Sequence, residues 1–195
     1  SAFYTKYGQP YNLTTGLYDM NAADTRYITT TGGSLTFARQ LAWPDDYFTF
    51  STGLNYTRYT LKDYAIDPYN LPNFRDGNVN NLNIKFAIQR TSIDQPMFPR
   101  SGSNFMLSAA FTPPYSSFIS GFDKRTNPYE LLEYHKWRFN GEWYVPLGPP
   151  RGEDHNKQFV LKFAAKYGFL GRYDPNLQIS PFERFQLGDA GLSNQ

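Results

Sequence analysis

Histidine is the side chain most often used for acid–base work and metal binding near neutral pH. It occurs twice here, at His135 and His155, and cysteine is absent. His155 closes the string Gly152-Glu153-Asp154-His155. A metal held there would need further ligands, since zinc sites take three or four protein donors, and the string reads more simply as a solvated turn. His135 opens a run of alternating residues and reads as an interfacial strand residue. No HExxH pair, GxSxG elbow or Walker-type glycine loop occurs. Thr31-Gly32-Gly33-Ser34 is glycine-rich, but it starts a strand, where glycine relieves packing or backbone approach. No clustered Ser/His/Asp set can be assembled. The sequence predicts no enzyme, no cofactor and no metal.

The remaining chemistry is charge held in phase. Lys85, Lys136, Arg138, Glu142, Lys162 and Lys166 each fall on the polar side of an alternating run. In residues 136–145, Trp137, Phe139, Gly141, Trp143 and Val145 share one face, and Lys136, Arg138, Asn140, Glu142 and Tyr144 the other. Residues 82–89 set Leu82, Ile84, Phe86 and Ile88 against Asn83, Lys85, Ala87 and Gln89. Residues 158–167 set Phe159, Leu161, Phe163 and Ala165 against Lys162 and Lys166. Period-two alternation is the mark of strands with two unlike faces. Weaker runs lie at Leu35–Leu41, Phe48–Tyr56 and Phe105–Phe111, with a partial strand at Ala2–Tyr7 and a last one expected from about Phe182. Residues 129–134 read as loop or early strand.

These runs are about ten residues long, enough for a tilted strand to cross a bilayer core. Mean hydropathy is −0.59, and no apolar run reaches helix-spanning length, but barrel strands alternate and keep their average low. A soluble β-sandwich also alternates. Its buried face would be aliphatic, whereas here 17 Phe and 16 Tyr make the chain 18% aromatic. The fold class predicted is therefore an all-β, antiparallel transmembrane barrel segment. Connections at 42–46, 93–102 and 147–157 are shorter than those at 8–26, 60–80, 113–130 and 170–181, so the first set is expected to face the periplasm and the second the outside. Trp43, Tyr47, Trp143 and Tyr144 are expected at the bilayer interfaces, where rings with a polar tip concentrate. Arg39 and Arg58 sit in the apolar phase near strand ends, from which they can snorkel. The six in-phase charges would line a lumen, where they either tune selectivity, contact an in-folded loop or are simply tolerated by water. Lys and Arg are scattered, the formal charge is +2, and the rings oppose the charges, so no nucleic-acid partner is expected. No signal peptide opens the chain.

Residues 91–105, Thr91-Ser92-Ile93-Asp94-Gln95-Pro96-Met97-Phe98-Pro99-Arg100-Ser101-Gly102-Ser103-Asn104-Phe105, resemble the strand–turn–strand of the BamA superfamily of outer-membrane assembly factors, with Phe98, Pro99, Arg100 and Gly102 carrying the motif. Pro99 presets a turn and Gly102 supplies a permissive backbone. The stretches Tyr134–Phe139 and Trp143–Leu147 resemble the next pair of strands. Gly168-Phe169-Leu170-Gly171, then Pro181, Phe182, Arg184, Phe185 and Gly188, resemble the approach to the family's sixth extracellular loop. Gly188-Asp189-Ala190-Gly191 departs from the commoner Gly-Gly pair, and the loop-tip motif V/L-R-G-F/Y does not occur by Gln195.

The resemblance implies the middle of a sixteen-stranded outer-membrane barrel, represented by about seven to eight strands. Periplasmic POTRA domains and the first and last barrel strands are expected to lie outside residues 1–195. By the same resemblance the activity would be folding and inserting other β-barrels into the outer membrane without ATP or cofactor, by thinning the bilayer and templating client strands at a seam. Membrane lipid, unfolded outer-membrane clients, the remaining strands of the barrel and accessory lipoproteins of an assembly complex would be the partners. A TamA-like or two-partner-secretion translocator, and a passive porin or substrate channel, are the alternatives.

Overall fold

The computed structural model describes residues 1–8, 18, 25–64, 76–122, 129–151, 157–177 and 179–185, without the side chains of residues 150, 151, 157 and 181. Seven strands form one sheet: β1 (Ala2–Gly8), β2 (Tyr27–Gln40), β3 (Phe48–Lys62), β4 (Gly77–Thr91), β5 (Gly102–Phe111), β6 (His135–Arg151) and β7 (Lys157–Gly171). Every strand pairs antiparallel with its neighbour in sequence, in the order β1 to β7. β1 and β7 do not pair, so the sheet is open.

Register carries the alternation across the sheet. Phe37, Thr52, Phe86, Ala109, Trp137 and Phe169 form one cross-strand row, and Phe111 meets Trp137 edge-on at 5.3 Å between ring centroids. Such cross-strand pairs are the stabilising unit of a sheet. Nothing in the described chain covers this apolar face: Leu35 is 77% exposed and Phe159 75%. An exposed apolar surface of this extent marks an interaction with membrane or protein.

The strands are longer than their apolar alternation suggests. β2 begins at Tyr27, β3 runs to Lys62 and β4 begins at Gly77. Thr and Asn are the commonest of their extra residues and put polar groups on both faces, which blurs the period-two signal. β6 continues to Arg151 and β7 starts at Lys157, so the expected connection at 147–157 shortens to residues 152–156. Over the described residues 182–185 the strand expected from about Phe182 is not formed; the rest of that expectation lies outside the described residues. Pro181–Glu183 is a 3₁₀ turn, and the Ser180 side chain accepts the Phe182 N–H at 3.2 Å. Ser at the cap with Pro in the first turn is a helical start signal, not a strand signal.

The buried core sits on the opposite, polar face at the end of the long connections. Ile28, Leu61 and Val79 of the sheet pack there against Tyr129, Leu132 and Tyr134. β5 stops at Phe111, level with Ile84, and leaves the first half of β4 without a strand on that side. The returning chain fills the gap: the Asn80 N–H donates to the Glu130 carbonyl at 2.8 Å, and the Leu132 N–H donates to the Asn80 carbonyl at 3.0 Å.

Candidate functional site

The segment Ile179–Phe185 lies against the polar face of the sheet and is held by three separate contacts. The Glu183 carboxylate is the first. One oxygen accepts from Asn81 Nδ2 at 2.7 Å and the other from Lys136 Nζ at 3.1 Å. Both side chains of the ion pair are largely buried, Lys136 at 19% and Glu183 at 14% exposure. A carboxylate removed from water needs such charge-assisted partners. Asn81 is oriented in turn: its Oδ1 accepts from Asn83 Nδ2 at 3.2 Å and from the Tyr134 hydroxyl at 3.2 Å, while Asn83 Oδ1 accepts from Asn55 Nδ2 at 3.2 Å. Burial pushes the Tyr134 phenol well above the ordinary tyrosine range, and the nearby Glu183 charge adds to the effect.

Phe182 makes the second contact, stacking on Tyr59 of β3 at 4.4 Å with the planes 5° apart. Phe185 makes the third. Its ring lies over Gly168 of β7, where an added Cβ would come within 2.8 Å of the ring. Lys136 Nζ and the Arg138 guanidinium approach the same ring at 5.0 and 5.5 Å. Two cations close to one ring favour this placement electrostatically.

The predicted in-phase charges all lie on this face and separate into three groups. Lys136 and Arg138 meet the folded-in segment. Glu142 and Lys162 pair with each other at 2.8 Å further along the hairpin, and the Tyr144 hydroxyl donates to Glu142 at 2.9 Å. Lys85 lines a recess of about 330 Å³ beneath the segment, together with Asn55, Asn83, Ser108 and Arg138. Lys166 acts electrostatically on Glu142. This arrangement binds a chain segment; among the described residues no three His, Asp or Glu side chains converge as a metal site would require.

The interfacial aromatics divide between the faces. Trp43 is 82% exposed in the β2–β3 connection. Tyr47 stands beside it in sequence with the Arg90 guanidinium 5.4 Å from its ring. Trp143 is on the apolar face, opposite Ser103 and Phe163. Tyr144 points to the polar face, with Lys162 Nζ 5.4 Å from its ring, and both residues lie well inside β6 because the strand runs on to Arg151.

In the turn motif, Phe98 has φ of 57° and Gly102 φ of 103°, and a Cβ on Gly102 would collide with the Ser92 carbonyl oxygen. The organiser of the turn is Asp94, whose Oδ1 accepts the N–H groups of Arg100 at 2.9 Å and Ser101 at 3.2 Å. These bonds hold its carboxyl below the ordinary carboxylate range, led by the Arg100 N–H. Phe182, Arg184 and Phe185 belong to the folded-in segment; Gly188 and His155 lie outside the described residues.

Sequence reasoning missed Glu183, the Asn55–Asn83–Asn81 chain and Tyr59. It also missed Arg90, which sits in the apolar phase and is neutralised by Asp45 at 2.8 Å. The string Ser180-Pro181-Phe182-Glu183 has the cap-and-acid spacing of a helical start and was the signal available for Glu183.

A family model, the Omp85 superfamily domain, matches residues 1–192. The chain belongs to the Omp85 superfamily. Membership implies an outer-membrane β-barrel, in keeping with the open apolar-faced sheet. Among solved structures, this Omp85 chain is similar to BamA from Haemophilus ducreyi lacking POTRA domains 1–3, with a TM-score of 0.52 and 18% identity. The match covers 96% of this chain and 36% of that one, and at such identity it speaks for the fold. The fold of this Omp85 chain is thus that of a BamA-like barrel segment. No curated protein matches the chain.

Proposed function

We propose that this chain is central wall of an Omp85 barrel that folds and inserts other β-barrel proteins into the outer membrane. The observation that carries the reading is the folded-in segment, in which Glu183 and Phe185 tie the approach to a long loop onto the polar wall through Lys136, Asn81 and Gly168. A segment clamped on the polar wall fits a barrel whose lumen is partly occupied by its own chain better than an unobstructed pore. On this reading the polar face is the lumen, and the apolar face, with Leu35, Phe37, Phe163 and Phe169 open, meets lipid. Connections after β2, β4 and β6 face the periplasm, and Trp43 and Tyr47 mark that interface. POTRA domains and further strands complete the protein, and clients and accessory lipoproteins are its partners.

The full-length protein in liposomes tests the reading. An unfolded client barrel should become heat-modifiable and protease-resistant faster than in empty liposomes, and Glu183→Ala should slow it at least several-fold. A large steady conductance with no gain in client assembly would assign the protein to the channel class instead.

A further inference from the structure

The apolar face carries charge of one sign only. Taking residues in phase with Leu35, Leu54 and Ile84 across β1 to β4, the charged side chains are Lys6, Arg39, Arg58, Lys62 and Arg90, with no carboxylate among them. The polar face, by contrast, mixes Glu142 and Glu183 with its lysines. The cations fall at two levels. Arg39 is opposite Phe50, and Arg90 opposite Phe48, beside the short connections. Arg58 lies eight residues beyond Phe50 on β3, about 26 Å along the strand. Strand tilt reduces that separation to about 20 Å, close to the height of a barrel's lipid-facing band.

At the long-connection level three cations gather. Lys6, Thr29 and Thr60 form one cross-strand row. Lys6 is two strand spacings, about 10 Å, from Thr60, and Arg58 and Lys62 flank Thr60 by about 7 Å on either side. All three are exposed. Lys6 Nζ stands 4.6 Å over the Tyr27 ring, while Arg58 and Lys62 have no ion pair among the described residues. Among the described acids, Asp63 pairs with Arg26 at 3.0 Å, and Asp76 accepts the Asp63 N–H at 2.9 Å.

We propose that Lys6, Arg58 and Lys62 form a binding site for the phosphate of an anionic membrane lipid at the long-connection rim. The site rests on the reading that the apolar face meets lipid. Long cationic side chains at the edge of an apolar band extend to the headgroup level. A lipid whose acyl chains lie along Leu35, Leu54 and Tyr56 presents its phosphate there. Arg90, already paired with Asp45, and Arg39 make no equivalent cluster at the short-connection end of β2 to β4.

The test uses the full-length protein titrated with phosphatidylglycerol, phosphatidylcholine or inorganic phosphate, with retained lipid counted by native mass spectrometry. Phosphatidylglycerol should be retained in preference to phosphatidylcholine. K6Q/R58Q/K62Q should weaken that retention about tenfold or more, and Lys85→Gln on the other face should leave it intact. The charge-conserving K6R/R58K/K62R should keep it, which separates loss of the site from loss of the fold. Equal retention of the two lipids, no loss in the triple glutamine variant, or full competition by millimolar inorganic phosphate would overturn the proposal. Quenching of Trp137 by acyl-brominated lipid is read in parallel. Quenching without anionic preference leaves the membrane reading standing and removes this site, whereas no quenching removes both.

Discussion

Glu183 Oε2 and Lys136 Nζ meet at 3.1 Å across 47 residues of chain, on the face of the sheet that bears both signs of charge. Neither side chain is more than one-fifth exposed. The pair fastens the folded-in segment to the start of β6, and its disruption leaves an uncompensated charge against the wall.

Glu183→Gln should keep an acceptor for Asn81 while removing the partner of Lys136. Loss of one member of a fully buried pair costs about 3–5 kcal/mol; with residual water access here, about 1–3 kcal/mol is expected. The midpoint of heat modification of the full-length protein should fall by a few degrees. Glu183→Lys should be worse, and the exchange K136E/E183K should recover part of the loss. Purely additive effects in that cycle would show that the two side chains do not interact.

Gly168→Val should displace Phe185 without touching a charge. A Cβ at Gly168 already meets the ring at 2.8 Å, and overpacking of this kind costs about 1–3 kcal/mol. Protease cleavage near Phe185 should accelerate in the variant. Phe185→Ala in the same background should relieve the strain in the β7 wall, seen as recovery of its heat-modification midpoint.

Arg90 should not tolerate lysine. Its guanidinium donates to Asp45 at 2.9 Å, Ser92 at 2.7 Å and Ser103 at 3.1 Å, joining the β2–β3 connection, the turn after β4 and β5. An ammonium has no planar fork to span the three. Arg90→Lys and Arg90→Met should both destabilise, by about 1–3 kcal/mol, measured as the denaturant midpoint of the protein in detergent. A wild-type midpoint for Arg90→Lys would mean that charge alone suffices.

The turn around Asp94 should loosen in acid. Its carboxyl is held below the ordinary range by the Arg100 and Ser101 N–H groups. A depressed value means the folded turn binds protons less readily than the unfolded chain. Its contribution is therefore complete above the unfolded carboxyl value of about 3.9 and is lost as pH falls through the lower folded value. Amide protection factors at Arg100 and Ser101, corrected for intrinsic exchange, should drop in that window. Asp94→Asn should show low protection at every pH.

How much of this was legible depended on which residues carried a phase. Trp137, Phe139, Trp143 and Lys136, Arg138, Glu142 announce both faces of β6, and the family motif around Phe98–Gly102 names the hairpin. The ends of β2, β3 and β4 were silent because Thr29, Thr30, Thr57, Asn78 and Asn80 are polar whichever way they point. Arg90 was overlooked because its partner Asp45 comes from another connection, 45 residues away, and only the β3–β4 register brings them together. Phe182 suggested a strand because aromatic residues favour strands. Its backbone obeys Ser180 and Pro181, and its ring obeys Tyr59, which the sequence does not place nearby.

The strict neighbour-to-neighbour order of the sheet has a kinetic consequence. Each hairpin from β1 to β7 can close on contacts made with the adjoining strand alone, so loop-closure entropy is met in small increments and assembly can proceed strand by strand. The bond between Asn81 and Glu183 is different, because it joins residues 102 positions apart. It cannot form until the strands between β4 and β7 are in register. Protection of that bond in a pulse-labelling experiment therefore dates the completion of the wall, and a chain stalled one hairpin short would have a sheet but no clamp.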